Sequence, residues 1–519
     1  MRSLLLLPPL LLLALGCTRD PAASPTAVGD EPVASPETST PSAARQRLPE
    51  RETWDLYTIG GVRVGYGRTR LNHQSHDDGP IVVIDALNAL AVKRFNRETR
   101  QQIHFVSRET PDGRLIDFQG ELDMGSVPTK ISGRVEGDLL RIQTQTLGKT
   151  IASEIPWTAR NGGLYAMEAS LLRQPMQPGQ RRSIRGLSPT FDRVAVVDIE
   201  LEAKDYEPAE LDRGSYSLLR IDSITRFGDG QALAGTLWCD RTGDILKTQT
   251  DAIGLQTCRT TEAAALKTDG PAEFDLGRRT MVMLRKPLKD AHHTRRARYR
   301  VHLDGSDPAA VFVAGPSQQV CPIDPHTAEI TVIALRGDTS AEETPVAESR
   351  PRTADREPNN LIQSDAPKVV SMAQEAAGDL QGPWQVALAL ERFVHERITQ
   401  KDFSQAFATA AEVAENPVGD CTEHAVLLAA LCRARGIPAR AALGLVYMQG
   451  QQAFGFHMWN EAHIGGRWVP LDATLGQGGI GAAHLKLAHS SLEGGSAYSS
   501  FLPVVQVAGR LKIEVLEAE

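Results

Sequence analysis

Apolar and polar positions alternate with a period of two through most of residues 54–261, in short runs separated by turn signals. Ile59-Gly60-Gly61-Val62, Pro111-Asp112-Gly113-Arg114, Glu136-Gly137-Asp138, Gly228-Asp229-Gly230 and Asp240-Arg241-Thr242-Gly243 punctuate these runs. A period of two sends successive side chains to opposite faces of a strand. Regular short strands with glycine turns therefore predict an antiparallel β-rich domain over residues 51–265, as a sandwich or an open barrel. Residues 280–335 are strand-rich too, so 266–337 reads as a small separate module or as a continuation of that domain.

Beyond a polar stretch at 338–362 the period changes. Ser364-Asp365 is placed to cap a short helix through Ala376, and Pro383 suits the first position of a longer one. The apolar content of that second helix is Trp384, Leu388, Phe393, Val394 and Ile398. A third helix starts at Cys421 and stops at Arg435-Gly436-Ile437-Pro438, where Gly and Pro end it. Strands follow at 439–448 and 456–464. Helices before strands in one unit make an α+β domain, over 363–519 with its core at 383–476. The chain is thus multidomain, as its 519 residues suggest.

Composition changes the picture at the N-terminus. Residues 4–15 are apolar apart from Pro8 and Pro9 and follow Arg2, too short a run to span a bilayer and suited to an export signal over 1–17. Its end, Leu13-Ala14-Leu15-Gly16-Cys17, resembles the lipobox of bacterial lipoproteins. That resemblance implies cleavage before Cys17, a lipid on Cys17, and an exported protein anchored to a membrane. Residues 18–50, rich in Pro, Ala, Ser, Thr and Glu, read as a disordered tether. The net charge of −8, without a long basic run, argues against nucleic acid as a partner. The densest basic stretch, Arg285 to Arg300 with His292 and His293 inside it, reads as solvated strand and loop.

Six cysteines have different prospects. In an oxidising compartment Cys239 and Cys258, on what read as neighbouring strands, are the disulfide candidates. Cys321 reads as unpaired and Cys432 as a small core residue. No Cys or His cluster has zinc spacing, so neither metal nor cofactor is expected.

The chemistry is concentrated around Cys421. Asp420 before the third helix and Glu423 three residues later form a capping signature. Cys421 is then the first helical residue, where the helix dipole favours a thiolate and backbone amides can stabilise an oxyanion. Gly465-Gly466 is a two-residue hairpin turn pairing Ile464 with Arg467, which sets Trp459 opposite Asp472. His457 shares the face of Trp459, so Asp472 is its diagonal neighbour, within reach of a hydrogen bond. Nucleophile, base and orienter come together.

Gly419-Asp420-Cys421-Thr422-Glu423-His424-Ala425, Gly436-Ile437-Pro438-Ala439-Arg440, His457-Met458-Trp459-Asn460-Glu461 and Trp468-Val469-Pro470-Leu471-Asp472, in that order, resemble the core of the bacterial transglutaminase-like superfamily. The resemblance implies a papain-like fold with Cys421, His457 and Asp472 as the catalytic Cys, His and Asp, and a structural role for Arg440. Family members often add a Trp or Tyr oxyanion donor ahead of the Cys helix. Here residues 398–407 offer Phe403, with Gln400, Ser404 or backbone amides as alternatives. His424, His463, His484 and His489 read as structural, His424 at most as an outer neighbour of the nucleophile. The expected function is attack on amide bonds of a protein or peptide substrate through a Cys421 thioester. A peptidase or amidase is favoured over a transglutaminase, and the rival is a catalytically idle surface-binding module.

Overall fold

The computed structural model describes residues 48–519 apart from 77–78, 95–96, 124–127, 147–148, 190–193, 213, 229–231, 251–253, 268–274, 276–279, 337–349, 401–407 and 494–500. The signal with Cys17, the tether to residue 47, and Phe403 and Ser404 lie outside the described residues. Leu48, assigned to the tether by composition, is buried, and its carbonyl accepts from His73 Nε2 at 2.7 Å.

The alternating pattern is realised as one sheet of fourteen strands. Its first strand, Arg51–Ile59, and its last, Leu255–Thr260, lie side by side, with Trp54 opposite Thr260. From that seam the strands run outward in chain order on one side and in reverse order on the other. The edges are Lys149–Pro156 and Arg181–Pro189, and the helix Ala166–Arg173 connects them. This helix segment touches both halves of the sheet. Tyr165 Oη accepts from Arg51 at 3.2 Å, Arg173 donates to the Pro111 carbonyl at 3.2 Å, and the Leu187 amide donates to Gly163 at 3.3 Å. The helix segment thus packs against the one continuous sheet, with partners on both sides of its seam. At Gly60-Gly61, φ of 56° and 78° provides the left-handed turn that lets Ile59 pair with Val62.

The expected Cys239–Cys258 bridge does not form, because the two cysteines do not lie on neighbouring strands. The strand Ile245–Thr250 runs between theirs, pairing Cys239 with Ile245 and Cys258 with Lys247. Two strand steps of about 4.8 Å each exceed the ~7 Å Cα separation a disulfide tolerates. Hairpin-like spacing in sequence concealed an intervening strand.

The strand-rich stretch after residue 280 is neither a separate module nor a continuation of the large sheet. Arg296–Leu303, Gln318–Asp324 and Thr327–Ile333 form a four-stranded sheet completed by the end of the chain, Leu511–Ala518. Val282–Met283 pairs instead with Ala453–Ile464. This region therefore belongs to the C-terminal unit. Nor are residues 350–362 a bare linker, because Leu361 and Ile362 are buried in that unit's core.

Within the unit, the helix Pro367–Ala377 starts from Pro367 at its first position, with Ala366 at its N-cap in place of Ser364-Asp365. Pro383–Arg397 turns Val386, Ala387, Leu390, Glu391 and Val394 inward, while Trp384, Leu388 and Phe393 are only partly buried. A short helix, Ala410–Glu415, precedes the central one, Cys421–Ala434. Every residue of the central helix from Thr422 to Arg433 is buried, as befits a helix enclosed on all sides. It packs on the other three helices and on the strands Ala439–Met448 and Ala453–Ile464. Those strands belong to a five-stranded sheet with Val282–Met283, Arg467–Leu471 and His484–Ser490.

Candidate active site

The Cys421 end of the central helix is held by the capping box legible in its sequence. Asp420 Oδ1 accepts from the Thr422 amide at 2.9 Å, and Glu423 Oε2 accepts from the Asp420 amide at 2.8 Å. Glu423 Oε1 also accepts from the Ala408 amide at 3.1 Å, tying the preceding segment to the helix start. Burial, reinforced by the neighbouring Asp420, pushes the Glu423 carboxyl up to about 8. Cys421 itself is half-buried, its side chain against the core.

His457 comes from the strand Ala453–Ile464, where it pairs with Gly444. Ile464 pairs with Arg467 across the Gly465-Gly466 turn, and Asn460 with Leu471 at the far end of the hairpin. The next residue, Asp472, leaves the strand with its carboxylate beside His457, and Oδ2 lies 2.8 Å from Nε2. A carboxylate only accepts, so Nε2 carries the proton and Nδ1 is left for Cys421, the other partner of this imidazole. Burial alone would lower the His457 pKa. The charges and hydrogen bonds of Asp472 and Cys421 outweigh burial and raise it to about 10. Asp472, although buried, is held well below the usual carboxylate range by His457 and His484. Together these shifts describe a buried imidazolium beside a carboxylate, with Cys421 as its other neighbour.

His484, expected to be structural, meets the same carboxylate. Its Nε2 lies 3.0 Å from the same Asp472 oxygen, and its side chain has no exposed area. The spacing to His489 carried no hint of this, because His484 arrives on the strand His484–Ser490, paired across Ala439–Met448. His292, in the stretch read as a solvated loop, sets its ring edge-on to His484 at 6.0 Å. Glu391 was also missed. It accepts from the Asp472 amide at 2.9 Å and the Gly479 amide at 3.1 Å, clamping the loop that carries Asp472. Burial raises its carboxyl to about 7.

The other candidate residues have local partners. His424 donates through Nδ1 to the Asp420 carbonyl at 2.6 Å. His463 packs its ring on Trp468. Burial, with Lys486 and Arg440 nearby, lowers His489 to about 3. Arg440 forms a buried pair with Glu461 at 2.7 Å and stacks on Trp468 at 3.9 Å, while Lys486 meets the other Glu461 oxygen. Gln400 contributes its carbonyl to the Gly419 amide at 3.1 Å. Among the described residues, His457, Asp472 and His484 are the cluster able to hold a metal ion, their ligand atoms within 4.8 Å of one another. Asp472 Oδ2 already accepts from both imidazoles there.

Residues 370–473 match the family model described as the transglutaminase-like superfamily. No curated protein sequence matches the chain. Among solved structures, a candidate cysteine protease from Cytophaga hutchinsonii aligns at 17% identity and TM-score 0.28, over 44% of this chain and 89% of that one. The periplasmic domain of TgpA from Pseudomonas aeruginosa, bound to ethylmercury, aligns at 18% identity and TM-score 0.23, over 37% and 78%. A β-barrel-like protein from Brucella abortus aligns at 11% identity and TM-score 0.31, over 41% and 96%. With Cys421, His457 and Asp472 at the expected places of its motif blocks, the segment 370–473 is a transglutaminase-like domain.

Proposed function

We propose that this protein is a thiol enzyme that cleaves amide bonds of a protein or peptide substrate through a Cys421 thioester. The observation that carries the reading is the line Cys421, His457, Asp472, with His457 raised to about 10 between its two partners. Cys421 Sγ attacks the amide carbon. The imidazolium of His457 protonates the departing amine as the C–N bond breaks, leaving the acyl group on sulfur. The neutral imidazole then takes a proton from water, whose oxygen displaces the thiolate and releases the acid. The amide of Cys421 lies in the first helical turn, where amides lack intrahelical acceptors, and is suited to stabilise the oxyanion. The nucleophile sits at the start of a helix, its base on a strand of the adjoining sheet and its orienter just past the end of the neighbouring strand.

Hydrolysis is favoured over amine transfer because an exported site faces bulk water and nothing in the sequence marks an amine site. Incubating the enzyme with a peptide library, with and without a millimolar primary amine, is expected to release mostly free acid in both cases. Predominant amine-linked product would make it a transglutaminase.

The chain is further proposed to be exported and held at a membrane by a lipid on Cys17, on the strength of its lipobox-like signal. Wild-type protein is expected in the detergent phase of a phase separation, and Cys17→Ser in the aqueous phase. Wild type found wholly in the aqueous phase would rule out the anchor.

A further inference from the structure

Asp472 does more than hold His457. Its Oδ2 accepts from His457 at 2.8 Å and His484 at 3.0 Å, and its Oδ1 accepts from the Thr474 amide at 2.9 Å. Three donors fix the plane of one carboxylate whose residue is fully buried. His484 is the donor that pins the oxygen His457 uses.

The surroundings of His484 suit a neutral donor. Its ring lies 5.2 Å from the Trp459 ring, edge to face, and Trp459 in turn stacks on His457 at 6.2 Å with 17° between planes. The titratable groups facing it are Asp472, His457 and His292. Burial, seconded by the positive charge of His457, keeps its pKa below that of a free imidazole despite Asp472. His484 therefore gives Asp472 a hydrogen bond without placing a second cation beside the imidazolium. A protonated residue there would compete with His457 for the carboxylate, and an apolar one would leave a lone pair of a buried anion unsatisfied.

We propose that His484 is a positioning residue of this site: its Nε2–H fixes the Asp472 carboxylate in the orientation that holds His457 against Cys421. The proposal rests on the thiol-enzyme reading above, and its test separates the two. His484→Phe keeps the volume and removes the donor, whereas His484→Gln keeps an N–H that reaches the same oxygen. The readout is the rate of Cys421 alkylation by iodoacetamide from pH 5 to 10, followed on the Cys421 peptide by mass spectrometry. Exposed Cys321 in the same chain serves as the internal reference.

In wild type, Cys421 is expected to label well below the pH at which Cys321 does. His484→Phe should slow labelling at pH 6 by about 10-fold or more, the scale of a lost hydrogen bond to a charged group, and leave the rate at pH 10 unchanged. His484→Gln should stay within about threefold of wild type. Far-UV circular dichroism checks each fold, and His484→Leu replaces the Phe variant if the larger ring is not accommodated. Superimposable wild-type and apolar-variant profiles, or a Gln variant as impaired as the apolar one, overturn the positioning role. A wild-type Cys421 that titrates like Cys321 overturns the thiol-enzyme reading itself.

Discussion

Cys421→Ala is expected to abolish turnover, by a factor of about 10⁶ if the site behaves as other nucleophile–base units do. Without sulfur there is no acyl carrier, and neither His457 nor Asp472 can replace it. The fold should survive. Cys421 is half-buried, the capping bonds belong to Asp420, Thr422 and Glu423, and alanine is the best helix former. The thermal midpoint should therefore move by no more than a few degrees. Cys432 provides a useful contrast, since burial pushes its thiol up to about 12 and keeps it inert. A Cys421→Ala protein that retains full activity on its substrate would sink the mechanism, and the binding-module reading would take its place.

What could be read from sequence was local. The capping box at Asp420 and Glu423 and the hairpin at Gly465-Gly466 are short-range devices, and each fixes a geometry within a few residues of itself. From them Cys421 gains its helix end and Asp472 its place beside His457, as the hydrogen bond at 2.8 Å bears out. What could not be read was made by distant pairing. His484 reaches Asp472 only because His484–Ser490 lies on the far side of Ala439–Met448, and sequence spacing says nothing of strand order. His292 meets His484 from a segment some 190 residues away, a contact no periodicity encodes. Glu391 was hidden by an apolar inventory that counted Trp384, Leu388 and Phe393 and passed over a buried carboxylate on the inward face. The same cause misled the cysteine pairing, where an unseen strand separates Cys239 from Cys258.

His457→Ala is expected to cost nearly as much turnover as loss of the nucleophile, yet its signature lies in pH. With His457 raised to about 10, the imidazolium persists through neutral pH beside Cys421. Remove the imidazole and the thiol loses that partner; a free cysteine has a pKa of about 8.5. At pH 6 such a thiol is ionised to only about 0.3%, so alkylation of His457→Ala should be slower than wild type by about 100-fold or more, with the deficit gone above pH 9. Turnover should not recover at alkaline pH, because the departing amine still lacks its proton donor. The same shift acts on stability. A folded-state pKa above the unfolded value of about 6.5 stabilises the native protein fully below pH 6.5, and that contribution is lost as pH rises through about 10. Urea unfolding of wild type and His457→Ala should therefore differ most at mildly acidic pH and converge towards pH 10. A constant difference across that range would mean that His457 is not held as an imidazolium, and that the ion pair with Cys421 does not form.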